Sequence, residues 1–295
     1  LWVLDAGAAE PRAMRGLNNF EFANPAGLTD FNGILLFRAT NGLVRGSELY
    51  RSDGTPAGSF FLKSLSSGTT GSTPRAFTVI GTTAYFVADG TSTGTELYKT
   101  NGTAAGTVLV KDIWVGGNSS PAELVNVGGT LYFTANDGTR GVELWKSDGT
   151  APGTLLVADL HPTGSSSPLQ LTAFGNGLVF SANDGTGGRE LWRLNLAGAP
   201  APASLGDLAP GIPSSAPADF TVFRDALYFT ASNDGRSRQL WRTNGTVAGT
   251  ERVGDALNPA ALAALGQGAG STLFFTATDP VEGSVVWSTD GSAAG

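Results

Sequence analysis

Residues 143–160 read ELWKSDGTAPGTLLVADL, and close variants stand at 48–65 (ELYRSDGTPAGSFFLKSL), at 96–113 (ELYKTNGTAAGTVLVKDI) and, more loosely, at 239–256 (QLWRTNGTVAGTERVGDA). The aromatic third position falls at Tyr50, Tyr98, Trp145, Trp192, Trp241 and Trp287, at intervals of 46–49 residues. A fixed period of this length marks an array of one repeated supersecondary unit. Within one unit, residues 121–160, the chain reads as strand and turn throughout: ELVNV before Gly-Gly, TLYFTA before NDG, VELWKS before DGT, then TLLVADL. Asn-Gly and Asp-Gly tolerate the positive backbone angles that hairpins need. Each unit is therefore expected to be four antiparallel strands.

Leu131, Tyr132 and Phe133 are apolar in succession, as are Leu155, Leu156 and Val157. A sheet wetted on one face alternates instead, so both faces of these sheets are expected to be covered. Radial stacking of small antiparallel sheets achieves this. The expected fold is all-β: a six-bladed β-propeller with four antiparallel strands per blade, in one domain. Its blades are placed at 25–65, 74–113, 121–160, 168–208, 217–256 and 259–295. The chain ends on a third strand and its turn, VVWSTDGSAAG, and opens with LWVLDAG, which aligns with the fourth strands VLVKDI and LLVADL through Asp5, Asp112 and Asp159. Residues 1–6 are accordingly expected to close the last blade, pairing the edges that an open ring leaves exposed, and residues 7–24 to form a long loop.

The 295 residues are 41% hydrophobic and 15% charged, enough apolar matter for a core. A net charge of -7 gives no electrostatic footprint for nucleic acid or for an anionic membrane. Cysteine is absent, which removes disulfides, zinc-thiolate sites and thiol nucleophiles. No run has the length of a membrane-spanning helix. The chain begins at Leu1 rather than methionine, and is expected to be a processed product or a piece of a longer protein, acting as a monomeric module.

ELWKSDGTAPGT, ELYKTNGTAAGT and ELYRSDGTPAGS resemble a bacterial repeat family with the pattern ELWxxDGTxxGT, found in large secreted or surface proteins. The resemblance covers essentially the whole chain. It implies a propeller-like extracellular repeat, secreted or displayed on a bacterial cell surface, and brings no activity with it. The fourth unit departs with ELWRLNLAGAPAPAS, its Asp-Gly-Thr lost, and the sixth with VVWSTDGSAAG, its leading Glu lost.

The recurring polar residues have two readings each. Asp53, Asp148 and Asp290, with Asn101 and Asn244 in the same place, are expected to brace turns, because Asp and Asn exchange there. Glu143 and Glu190 lie near Asp137, Asp184 and Asp234 of the NDG turns, and such oxygens are candidate Ca²⁺ ligands. The bland reading is that the Glu accepts backbone N–H groups or pairs with an arginine such as Arg189. Strand-end Asp112, Asp159, Asp207 and Asp255 are read as Asx-type partners of the following Gly/Ser-rich turns. The repeated Trp and Tyr are read as packing between blades. The lone His161 stands beside nothing that marks a nucleophile.

Function is sought where the repeats differ. Two residues after each opening proline stand Gly27, Ala76, Glu123, Gln170, Asp219 and Ala261. Glu123, Gln170 and Asp219 thus offer polar groups at one rim of the expected channel, fit for a small polar ligand or a cation. The long loop carries Arg12, Met14, Arg15, Phe20 and Phe22, read as a plug or as a partner contact. The function expected from sequence is a non-catalytic extracellular binding or scaffolding module for a protein or glycan ligand. The alternative is a calcium-dependent hydrolase or lactonase working at the axial channel.

Overall fold

The computed structural model describes residues 2–3, 10, 12–13, 24–40, 46–67, 69–197, 200–210, 214–266 and 270–291. The chain divides into two compact units, Leu1–Thr139 with Trp145–Leu156, and Arg140–Leu144 with Val157–Gly295. Among the described residues every regular element is a β-strand. Strand β1 (Trp2–Val3) pairs antiparallel with β2 (Arg12–Ala13). Four four-stranded antiparallel sheets follow, each in chain order. The first is β3 (Ala26–Phe31), β4 (Ile34–Thr40), β5 (Ser47–Ser52) and β6 (Phe60–Lys63). The second is β7 (Arg75–Ile80), β8 (Thr83–Gly90), β9 (Gly94–Thr100) and β10 (Val108–Lys111). The third is β11 (Ala122–Val127), β12 (Thr130–Asn136), β13 (Val142–Ser147) and β14 (Leu155–Ala158). The fourth is β15 (Leu169–Phe174), β16 (Gly177–Asn183), β17 (Arg189–Asn195) and β18 (Pro202–Ser204).

The second strand of each sheet is the core strand. Leu131, Tyr132 and Phe133 are all buried, so both faces of β12 are covered, as their unbroken apolar run requires. Third-strand aromatics stack on second-strand phenylalanines directly opposite: Phe37 on Tyr50 at 5.8 Å, Phe86 on Tyr98 at 5.9 Å and Phe229 on Trp241 at 6.4 Å. Trp145 is buried among Leu131, Phe133 and Val110, and its indole N–H donates to the Ala135 carbonyl at 3.1 Å.

The Asp-Gly-Thr turns hold themselves. Asp53 Oδ1 accepts from the Thr55 N–H and hydroxyl, and Asn101, Asp148 and Asn244 repeat both bonds with Thr103, Thr150 and Thr246. The basic residue two positions after Glu-Leu then reaches the turn of the next repeat. Arg51 donates to the Gly102 carbonyl at 2.9 Å, Lys99 to that of Gly149 at 2.7 Å and Arg242 to that of Gly291 at 2.8 Å. Glycine is required at 149 twice over: its φ is +88°, and a Cβ there would strike the Tyr85 hydroxyl.

Two features differ from the sequence expectation. Instead of separate sheets for 217–256 and 259–295, β19 (Ala218–Phe223), β20 (Ala226–Ala231), β21 (Gln239–Thr243), β22 (Thr250–Leu265), β23 (Thr272–Asp279) and β24 (Gly283–Thr289) form one six-stranded sheet. The link from Asp255 to Pro259 is too short to leave the sheet, so β22 runs through it and serves both repeats. The expected closing strand is also not seen on β24, which is an edge strand among the described residues, while β1 pairs with β2. Leu1 and residues 4–6 of that segment lie outside the described residues.

Candidate functional site

The glutamates of Glu-Leu-Trp are buried, and none of them faces a cluster of other acids. Glu96 Oε1 accepts the Ser119 N–H at 2.9 Å, while Oε2 accepts the Ser119 hydroxyl at 2.5 Å and the Ile113 N–H at 3.1 Å. Glu143 is held the same way by Ser166 and the Leu160 N–H, and Glu190 by Ser215 and the Leu208 N–H. Glu48 accepts from Ser72 and from the Ser64 hydroxyl. Each carboxylate thus ties the start of a third strand to the loop that leaves the fourth. Burial raises the pKa of Glu96, Glu143 and Glu190 above the ordinary value, against the pull of these hydrogen bonds.

The residues expected as calcium ligands have local partners as well. Asp184 Oδ1 is occupied by Thr186 and the Gly187 N–H, and Asp234 by the N–H groups of Arg236 and Ser237, bonds that pull the Asp234 pKa down to about 2. Asp137 braces Thr139 in the same manner. Among the described residues no three acidic or histidine side chains group so as to hold a metal. Asp137, Glu143, Asp184, Glu190 and Asp234 are used locally because hairpin turns and buried loop ends both leave N–H donors that need acceptors. Nor does Arg189 pair with the neighbouring Glu190, since consecutive strand residues point to opposite faces. Of the strand-end aspartates, Asp207 caps the Ala209 N–H at 2.9 Å as an Asx turn does, whereas Asp159 approaches Arg140 at 3.7 Å and Asp255 binds Arg252 at 2.7 Å.

The rim residues have a backbone distinction that the sequence did not reveal. Gly27, Ala76, Glu123, Gln170, Asp219 and Ala261 all have left-handed φ, between 54° and 64°. The residue before each opening proline does too: Asn24, Thr73, Ser120, Ser167, Ala216 and Asn258, between 41° and 51°. Each first strand slips register against the second at this point, between Ala122 and Val125 in β11 for example. A hydroxyl on the second strand takes up the carbonyl so released, as Thr134 does for Ala122 and Thr230 for Ala218. A left-handed non-glycine residue costs about 1–3 kcal/mol and persists only where its surroundings enforce it. The repeats place that strain at equivalent positions of the first strands.

In the second unit these residues are linked. Gln170 Oε1 accepts the N–H of Phe220, the residue after Asp219, at 3.4 Å. Asp219 Oδ2 accepts the Thr230 hydroxyl at 2.8 Å, and the Arg238 guanidinium lies over the same threonine, donating to its hydroxyl and carbonyl and to the Ala216 carbonyl. Arg189, one repeat earlier, occupies the matching place and donates through Nη1 to the Ser181 carbonyl and hydroxyl at 3.1 and 3.3 Å. Burial lowers the pKa of both arginines; at Arg238 the Asp219 charge acts in the opposite sense. Glu123 lies in the first unit at the same strand position. The two arginines were not among the rim candidates. Their signal was the basic residue directly before Glu-Leu-Trp and Gln-Leu-Trp, where other repeats have Ser, Thr or Val.

Of the loop candidates, Arg12 belongs to the β2 backbone, and Met14, Arg15, Phe20 and Phe22 lie outside the described residues. A polar cleft of about 250 Å³ lies between Asp225, Arg242, Asn244 and Glu251, but Arg242 already spends Nε and Nη2 on Glu251 Oε1, at 2.8 and 2.6 Å.

No family model matches the chain, and no curated protein matches it. Solved structures do. A puromycin-hydrolyzing peptidase of Mycobacterium tuberculosis superposes with a TM-score of 0.54 at 15% identity, over 93% of this chain and 44% of that one. A puromycin hydrolase mutant complexed with PGG gives 0.53 at 16% identity, over 92% and 44%. This chain therefore spans less than half the length of these enzymes. The likeness shows the fold, an all-β, propeller-like arrangement of four-stranded sheets. The names of these structures go against the expected non-catalytic binding or scaffolding module: both are hydrolases, the enzyme class of the alternative sequence reading.

Proposed function

We propose that this chain works in hydrolysis, as the propeller-like part of a protein that cleaves peptide-like amides. The observation that carries this reading is the match of nine-tenths of the chain to puromycin-hydrolyzing enzymes. The six repeats are proposed to be six blades, because the aromatic third position of the repeat recurs six times along the chain. Within the second unit, the strained first-strand positions Gln170 and Asp219 are the proposed substrate-facing edge. Strain of this kind concentrates at active sites and ligand clamps. The test is to titrate puromycin calorimetrically into the purified protein. Saturable binding is expected; heats equal to those of the buffer blank overturn the reading.

A further inference from the structure

Arg189 is held differently from Arg238 and Arg242 of the same unit. A guanidinium offers two parallel N–H groups along its Nε/Nη2 edge, which match the two oxygens of a carboxylate. Arg242 spends this edge on Glu251 Oε1. Arg238 spends it on Thr230 Oγ1, Thr230 O and Ala216 O. Arg189 is anchored through Nη1 alone, on Ser181. Its Nε and Nη2 make no hydrogen bond among the described residues, and neither is sealed from solvent. Charge near the two matched arginines differs in the same sense. Asp219 lies against Arg238, whereas its counterpart beside Arg189 is the neutral Gln170, whose amide oxygen is taken by Phe220. The nearby acids are engaged elsewhere: Glu190 in its loop anchor, Asp184 in its own turn.

We propose that the Nε/Nη2 edge of Arg189 binds the carboxylate of a peptide-like ligand, on the fourth sheet beside Gln170. Ser181, which fixes Nη1, pairs in register with Leu169, the residue next to Gln170, so the guanidinium stands next to a strained first-strand position. Partial burial strengthens an ion pair made there, and it is also what lowers the Arg189 pKa. A planar monoanion fits better than a phosphate. One guanidinium edge supplies two donors, no second basic side chain joins it on Ser181, and the net charge of -7 repels polyanions.

The assignment of that ligand as a substrate rests on the hydrolytic reading, but the binding does not, so the test is an equilibrium one. Hippurate, an acylated glycine with a free carboxylate, is titrated calorimetrically into the intact protein beside hippuramide, its uncharged amide. Hippurate is expected to bind about tenfold or more tightly than hippuramide, as a lost charge-assisted pair implies. Arg189→Ala should abolish that preference, and Arg189→Lys, which keeps the charge but not the paired edge, should retain only part of it. Arg236→Ala, on an exposed turn, should leave it unchanged. Equal affinity for the two probes in the wild type, or an unaltered preference in a folded Arg189→Ala or Arg189→Lys protein, overturns the proposal. Carboxylate binding without puromycin binding would sink the hydrolytic reading and leave this site standing.

Discussion

At the scale of the residue, the glutamate of Glu-Leu-Trp does the work that metal ligation was expected to do. It is present in the four repeats whose third-strand start must hold a loop of some length, at Glu48, Glu96, Glu143 and Glu190. Where the link shrinks to Asp255–Pro259 the position becomes Gln239, which bonds locally with Ser237 and Asn233, and in the last repeat it becomes Val285. Glu96→Ala leaves the Ser119 and Ile113 N–H groups without their acceptor, and the Ser119 hydroxyl with only the Thr95 carbonyl at 3.4 Å. Unsatisfied buried donors cost roughly 1–3 kcal/mol each, less whatever relaxation recovers. A loss of about 2–4 kcal/mol in unfolding free energy is expected from urea titration. Glu96→Gln keeps the shape and one of the two acceptor oxygens but sets an NH2 against the donors of the other, so it should recover only part of the loss; a Glu96→Gln protein as stable as the wild type would contradict the assignment.

At the scale of the element, the contrast lies between strands that are covered and the one that is not. Strand β13 and its counterparts β5 and β9 are buried or half-buried along their length, and a fourth strand pairs on their outer side. Strand β24 has the same place in its repeat and leaves Val286 72% and Trp287 38% exposed. Its sequence, GSVVWST, contains neither a charge nor a proline, the devices that usually protect an edge from pairing with other chains. Val286→Lys is therefore expected to lower concentration-dependent association in light scattering while leaving the unfolding midpoint within experimental error. A midpoint that drops by several degrees would mean that Val286 is covered in solution.

At the scale of the whole molecule, two sets of carboxyls pull stability in opposite directions with pH. Burial holds the Glu96, Glu143 and Glu190 pKa values above the ordinary value. The folded state therefore binds protons more readily than the unfolded chain, and their contribution is complete below the ordinary carboxylate range and lost as pH rises through the raised values. Backbone and hydroxyl donors in the turns hold Asp53, Asp148, Asp184, Asp234 and Asp279 low. Their contribution is present above the ordinary aspartate range and lost as pH falls through the lowered values, which for Asp234 means about 2. Thermal unfolding across this range should give a maximum on the acid side of neutrality, just above the ordinary carboxylate range of about 4. In the triple variant Glu96→Gln, Glu143→Gln, Glu190→Gln the fall toward neutral pH should flatten. A wild-type maximum at or above neutrality would contradict the assignment.

The repeat, the four-strand unit, the turn chemistry and the burial of both sheet faces were legible in the sequence alone. All of them rest on interactions within a few residues or on a period that the chain states six times: Asp53 with Thr55, Tyr50 against Phe37, the apolar run at Leu131. The roles of the repeated groups were not legible. Glu96 meets its partners 17 and 23 residues away, and Glu190 one of its partners 25 residues away, across loops whose path a period does not encode. The merging of the last two repeats through β22, the left-handed backbone at Gln170 and Asp219, and the difference between Arg189 and Arg238 were likewise decided by tertiary structure. A repeated residue type states that a local need recurs. Only the folded chain shows which donor lies opposite, and which has no partner within the protein.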